Sequence, residues 1–242
     1  MPAGADDADR IRGLVISEKY GPYIVVLCED EMAGNTSPQH RGLRWSGLGV
    51  LLWFTGCVVG FAALRPDYHH ATKAISELGA VGAPNMLWMN FLGFIGAAVL
   101  LALFALQARK LPTEIGLDYR LLLACAALFA MNAVPIQMGS DGDPDMHAVT
   151  SRIHFMFAML TPLPWLIALS KLIRVANYFR RRDLTILSGI CLVGFSIFAL
   201  AGIFRMIPGM PGLLQRLSFL FFLFWFALAG WLLSQSTPDT HA

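Results

Sequence analysis

The chain has 242 residues, of which 56% are apolar and 14% are Asp, Glu, Lys or Arg, with a formal net charge of +2. An ordinary soluble domain is about 25% charged, and the mean hydropathy here is +0.59, so the composition excludes both a soluble globule and a disordered chain. The small net charge also excludes a protein that grips nucleic acid by bulk electrostatics, and a membrane class remains.

Residues 1–44 read as a cytoplasmic tail. Their first part has mixed charge and no sustained helical period; Gly13-Leu14-Val15-Ile16 and Tyr23-Ile24-Val25-Val26-Leu27 are short, strand-like runs. Acids crowd the start and the apolar runs are too short for a signal peptide. Met32 precedes a polar leader and then Arg41 and Arg44, which resembles the start of a membrane protein. Residues 1–31 are therefore expected to be a mis-assigned extension or a dispensable tail; the alternative is a small cytoplasmic hairpin.

Six apolar stretches follow: Trp45–Leu64, Met86–Leu106, Leu121–Gln137, Ile153–Ile173, Leu184–Met206 and Leu213–Leu233. A spanning helix needs roughly 20 residues, and the third stretch is the weakest, being short and interrupted by Asn132 and Pro135. A chain in lipid satisfies its backbone helix by helix, so the expected fold is all-α, a polytopic six-helix transmembrane bundle over residues 45–235, with a cytoplasmic tail at 236–242. Gly56-x-x-x-Gly60 in the first stretch predicts a close helix contact. Cys57, Cys125 and Cys191 lie in apolar runs without metal or disulfide spacing.

Orientation follows from the basic residues near the helix ends. One side collects Arg41, Arg44, Arg109, Lys110, Arg120, Lys171, Arg174, Arg180, Arg181 and Arg182; the other collects Arg65, Lys73, Arg152, Arg205 and Arg216. The first side is expected to be cytoplasmic, which places the protein in the cytoplasmic membrane with both termini in the cytoplasm and turns loops 65–85, 138–152 and 207–212 outward.

The outward side holds the richer chemistry. Ser76 and Glu77 lie in a segment too polar to span and too apolar to be a free loop, which predicts a re-entrant or interfacial turn with Gly79 and Gly82 in unusual backbone angles. Ser76 is either a nucleophile or ligand, or the cap of a short helix; Glu77 is a base or metal ligand, or a first-turn acid of that helix. His154, just inside the fourth stretch, could bind metal, shuttle a proton, or make one structural hydrogen bond. Asp141, Asp143, His147 and His154 are the residues that would hold a divalent metal ion; the Asp141-x-Asp143-x-Asp145 spacing lacks the rest of a calcium loop. Arg205 and Arg216 flank the short 207–212 turn, so their like charges call for an anion between them: Glu77, an Asp of 141–145, or a bound headgroup. Asn90 and Asn132 read first as contacts between helices, with Asn85 and Asn90 kept as ligand-binding candidates.

Ala74-Ile75-Ser76-Glu77-Leu78-Gly79-Ala80-Val81-Gly82-Ala83-Pro84-Asn85 is followed by Met89-Asn90-Phe91-Leu92-Gly93-Phe94. Together with Arg152-Ile153-His154-Phe155, and with Pro211-Gly212-Leu213-Leu214-Gln215-Arg216-Leu217 before Trp225, it resembles DUF998, a prokaryotic family of six-helix membrane proteins of unknown function. The resemblance covers about residues 45–235 and implies fold and topology but no established activity. After the third helix that family usually has a Phe-Pro-x-Asp-like turn; Val134-Pro135-Ile136-Gln137 lacks the acid, and Asp141 or Asp143 is the expected substitute.

The residue types at the outward face, Ser76, Glu77 and His154 with an arginine clamp, lead to an expected role in binding or modifying a lipid or lipid-linked anionic headgroup, as a membrane hydrolase or acyltransferase if catalytic. The alternative is a non-enzymatic scaffold, sensor or chaperone. A small transporter ranks third, because charge near the midplane is scarce. Membrane lipids are the expected partners, and nucleic acid is not.

Overall fold

A computed structural model describes residues 38–140, 142–178, 181–204 and 206–235. The N-terminal extension or tail with its alternative hairpin, the C-terminal tail, Asp141, Arg180 and Arg205 lie outside the described residues. The described chain forms six main helices: α1 (Pro38–Ala63), α2 (Met86–Ala108), α3 (Tyr119–Met131), α4 (Val149–Asn177), α5 (Arg182–Ile203) and α6 (Pro211–Ser234). All but α3 are long and apolar enough to cross a membrane, and the protein is a multi-pass, all-α membrane protein.

The third helix is shorter than the sequence suggested. With 13 residues it is roughly 20 Å long, against about 30 Å of hydrocarbon. It stops at Met131 because the amide of Asn132 folds back onto Leu128 O (3.1 Å) and Phe129 O (3.3 Å) and also donates to Thr161 Oγ1 (3.0 Å) on α4. Pro135 then bars a further helical turn. The chain runs on without regular structure through Ile136, which is fully buried.

Each helix packs on its neighbours in sequence, and α6 closes the ring against α1. Aromatic side chains fill the middle. Phe54 of α1 meets Phe129 of α3 edge-on (5.4 Å) and stacks on Phe219 of α6 (5.4 Å); Trp165 of α4 meets Phe222 of α6 at 5.1 Å. Such pairs add about 0.5–1.5 kcal/mol each beyond area burial, which matters in a bilayer, where packing rather than water exclusion joins helices.

The Gly56–Gly60 expectation fails. Both glycines are exposed, and a Cβ at either would meet nothing within 4 Å. The close approach of α1 comes two turns earlier. A Cβ at Gly47 would fall on Phe226 O, and one at Gly230 of α6 would lie 2.7 Å from Leu43 O. A sequence motif shows that a helix could be approached closely; here the aromatic packing of α6 selects a different face.

Helix α2 has one irregularity, a π-helical stretch at Met89–Ile95. Within it Leu92 O accepts a hydrogen bond from the indole Nε1 of Trp53 (2.7 Å). Gly96 leaves the room, since a Cβ there would lie 2.7 Å from that nitrogen.

Candidate functional site

Residues 64–85 form a strap across one end of the bundle. Its centre is a single 3-10 turn, Ile75–Gly79, with every residue buried. The turn starts at Ala74, and Glu77 stabilises it by reaching back: Oε1 accepts from Ala74 N (2.7 Å) and Oε2 pairs with Lys73 Nζ (3.3 Å). Ser76 is therefore not the cap, since Ala74 holds that position. Gly79 serves a close approach rather than an unusual angle: Asn90 Nδ2 donates to its carbonyl (2.9 Å), and a Cβ on it would strike Asn90 Oδ1. Gly82 does take a positive φ of 84°, which glycine adopts without steric cost.

The N-terminus of α6 holds the strap. Gln215 Oε1 accepts from Ile75 N (2.7 Å), Leu213 N donates to Ala71 O (2.9 Å), and Tyr68 Oη donates to Ala74 O (2.9 Å). Arg216 is the centre of this set. Its guanidinium points toward the strap, and its partners among the described residues are neutral groups where the sequence called for an acid or a headgroup. Nη1 donates to Lys73 O and Gly212 O (2.8 Å each), Nε to His70 Nδ1 (3.2 Å), and Nη2 to Tyr68 Oη. Gly212 lets the strap come this close; a Cβ there would fall on Lys73 O and lie 2.8 Å from His70 O.

These contacts set the titration behaviour of the strap. Burial raises the Tyr68 phenol, against the opposing pull of Arg216. Burial, and then the Arg216 charge, lower the His70 imidazole. A ring whose Nδ1 accepts from arginine is neutral with its proton on Nε2. The hydrogen bond from Arg65 lowers the Asp67 carboxyl.

Beside the turn lies a cleft of about 430 Å³. Arg65, Asp67, Lys73 and Glu77 line it together with Ala80, Val81, Gly82, Ala83, Pro84, Met138 and Gly142. Arg65 is committed and only 15% exposed, with Nη1 on Glu77 O (2.8 Å) and Nη2 on Asp67 Oδ2 (2.7 Å). Lys73 is more open: its side chain is 34% exposed, and among the described residues Glu77 is its one ion-pair partner out of three possible donor contacts. The Met138 part of the lining is carried by Ser151 of α4, whose Oγ accepts from Gln137 N (2.9 Å) and fixes the 135–138 segment. Val81 N donates to Ile136 O (2.8 Å) and joins that segment to the strap.

The remaining candidates are dispersed. His154 is buried on α4, with Nδ1 2.9 Å from Val134 O and its ring edge-on to Phe94. Ser76 is buried in the turn and makes no side-chain hydrogen bond among the described residues; none joins Ser76 or Glu77 to His154. Asn85 precedes α2 without a side-chain cap bond, and Asn90 is committed to Gly79. Asp143 and His147 are exposed on the 138–148 loop. Among the described residues no group of three or more His, Cys, Asp or Glu side chains is placed to hold a metal ion. The sequence reading treated Arg65 and Lys73 only as topology charges and gave Asp67, Tyr68 and Gln215 no role. The available signal was the density of Arg, Asp, Tyr, His and Lys within 65–73, beside a segment too apolar to be a free loop.

The family model of DUF998, described as a protein of unknown function, matches residues 48–232. The chain belongs to that family. No curated protein and no solved structure shows significant similarity to it.

Proposed function

We propose that this DUF998 protein binds the phosphate-bearing headgroup of a membrane lipid or lipid-linked molecule in the cleft beside the strap. The observation that carries the reading is Lys73. Lys73 lines a polar cleft at the end of an apolar bundle, its side chain a third exposed and, among the described residues, with donors left over after its pair with Glu77. A compact ammonium with free donors suits a phosphate oxygen, and the apolar wall of Val81, Pro84 and Met138 suits the glycerol and upper acyl carbons of a lipid. The excess of Lys and Arg at the opposite end of the bundle supports an outer-leaflet position in the cytoplasmic membrane.

Binding is favoured over hydrolysis or acyl transfer. Nucleophilic catalysis needs a base within hydrogen-bond reach of the hydroxyl. Ser76 has no such partner among the described residues, and His154 Nδ1 is engaged by Val134 O. A scaffold or sensor role remains compatible with the same cleft, because the hydrogen bonds of the strap to α6 would transmit its occupancy to the bundle.

The test is headgroup binding by the purified protein in nanodiscs containing phosphatidylglycerol or phosphatidylethanolamine, read by native mass spectrometry. Lys73→Met is expected to weaken retention of phospholipid about tenfold, the loss of one charge-assisted contact, with the melting temperature as a control for folding. Unchanged retention in a folded Lys73→Met protein would overturn the reading.

A further inference from the structure

Among the described residues the charge lining the cleft is balanced. Arg65 and Lys73 face it together with Asp67 and Glu77, so its described ionic lining carries no net charge. A purely anionic headgroup gains little from such a site, because each cation that attracts it stands beside a carboxylate that repels it. A ligand bearing both signs gains from both pairs.

We infer that the cleft takes a phosphate ester that also carries a primary ammonium, the phosphoethanolamine type of headgroup. This rests on the headgroup reading above and narrows its ligand. The hydrogen-bond inventory assigns the roles. Lys73, with free donors, takes the phosphate. Asp67 takes the ammonium, since its carboxylate is 67% exposed beyond its pair with Arg65 and two oxygens offer about four acceptor positions. Arg65 is a positioning residue, holding Asp67 and the Glu77 carbonyl at once. Glu77 is engaged by Ala74 N and Lys73 and keeps the turn in shape.

The same lining discriminates among lipids. A quaternary ammonium has no N–H to donate and is recognised by aromatic faces; the described lining of this cleft contains no aromatic residue, so a phosphocholine headgroup is disfavoured. A glycerol headgroup has no ammonium and leaves Asp67 facing the phosphate.

The experiment places the full chain in nanodiscs containing equal amounts of phosphatidylethanolamine, phosphatidylglycerol and phosphatidylcholine and reads the co-retained lipids by native mass spectrometry. Soluble glycerophosphoethanolamine is added as competitor in a parallel arm. The expected result is about tenfold enrichment of the ethanolamine lipid over the other two, with Asp67→Asn reducing the ethanolamine-to-glycerol ratio to about one. Displacement by the soluble competitor would support recognition of the headgroup from either source; enrichment that resists it would support a lipid that needs its chains. Equal retention of all three lipids, sensitive to Lys73→Met, would overturn the inference and leave the headgroup reading standing. Ethanolamine enrichment unchanged in a folded Asp67→Asn protein would overturn the assignment of Asp67. Lipid retention insensitive to Lys73→Met would overturn both readings.

Discussion

The two ends of the bundle are both rich in cations and use them in opposite ways. At the strap end, besides the Arg65–Asp67 and Lys73–Glu77 pairs, side chains turn onto main-chain atoms: Arg216 onto Lys73 O and Gly212 O, Arg65 onto Glu77 O, Gln215 onto Ile75 N, Asn90 onto Gly79 O. At the other end they turn mainly onto each other or onto rings, and Arg174 Nε bonds only a carbonyl of its own helix, Ser170 O (3.2 Å). Arg44 lies 3.7 Å from the centre of the Trp231 ring, Lys171 pairs with Asp118 (2.9 Å), and Arg181 pairs with Asp183 (2.9 Å). A bond to a backbone carbonyl fixes the path of the chain. A bond between two exposed side chains fixes little, since it competes with water and is screened by salt. The first end is therefore a shaped surface, and the second is a set of charges suited to holding orientation.

The largest effect should come from removing the centre of the shaped end. Arg216→Ala strips donors from Lys73 O, Gly212 O, His70 and Tyr68 together. It should destabilise the protein by about 2–4 kcal/mol, given about 1.5–3 kcal/mol for hydrogen bonds to a charged group. Thermal unfolding in detergent measures it, and a loss under about 1 kcal/mol would erase the difference between the two ends.

A smaller effect follows from pH. His70 accepts from Arg216 only when neutral, and its folded pKa is lowered. Its contribution is complete above the unfolded value of about 6.5 and is lost as pH falls from there toward the lowered folded value, because the unfolded chain binds the proton more readily. Melting temperature should fall over that window, and His70→Asn should flatten this part of the profile. A profile identical in the two proteins would show that the Arg216–His70 contact is not maintained in solution.

The smallest effect belongs to the basic end. Asp118→Asn keeps an oxygen able to accept from Arg120 N, the cap bond of α3, and loses only the charge opposite Lys171. The change should be within about 1 kcal/mol and should shrink with added salt. A loss as large as that of Arg216→Ala would show that pairing of exposed charges, rather than bonding to backbone, carries both ends.

Much of the fold was legible in residue order because lipid leaves the backbone few choices: an apolar run of sufficient length becomes a helix. Composition and run length alone determined the membrane class, the six helices and most of their limits. Residue spacing could not choose between Gly56–Gly60 and Gly47, since both are equally open to approach until the Phe226 backbone selects the latter. The end of α3 at Met131 needed Thr161, 29 residues further along, in place to engage Asn132. The cleft needed more still. Arg65, Asp67, Lys73 and Glu77 are close in sequence, but what they face is set by Arg216 and Gln215 of α6, about 140 residues away, which hold the strap down and turn its charges into one cavity. Periodicity and hydropathy are local properties of a chain. The partner of a polar group in a loop is a long-range property, and packing alone decides it.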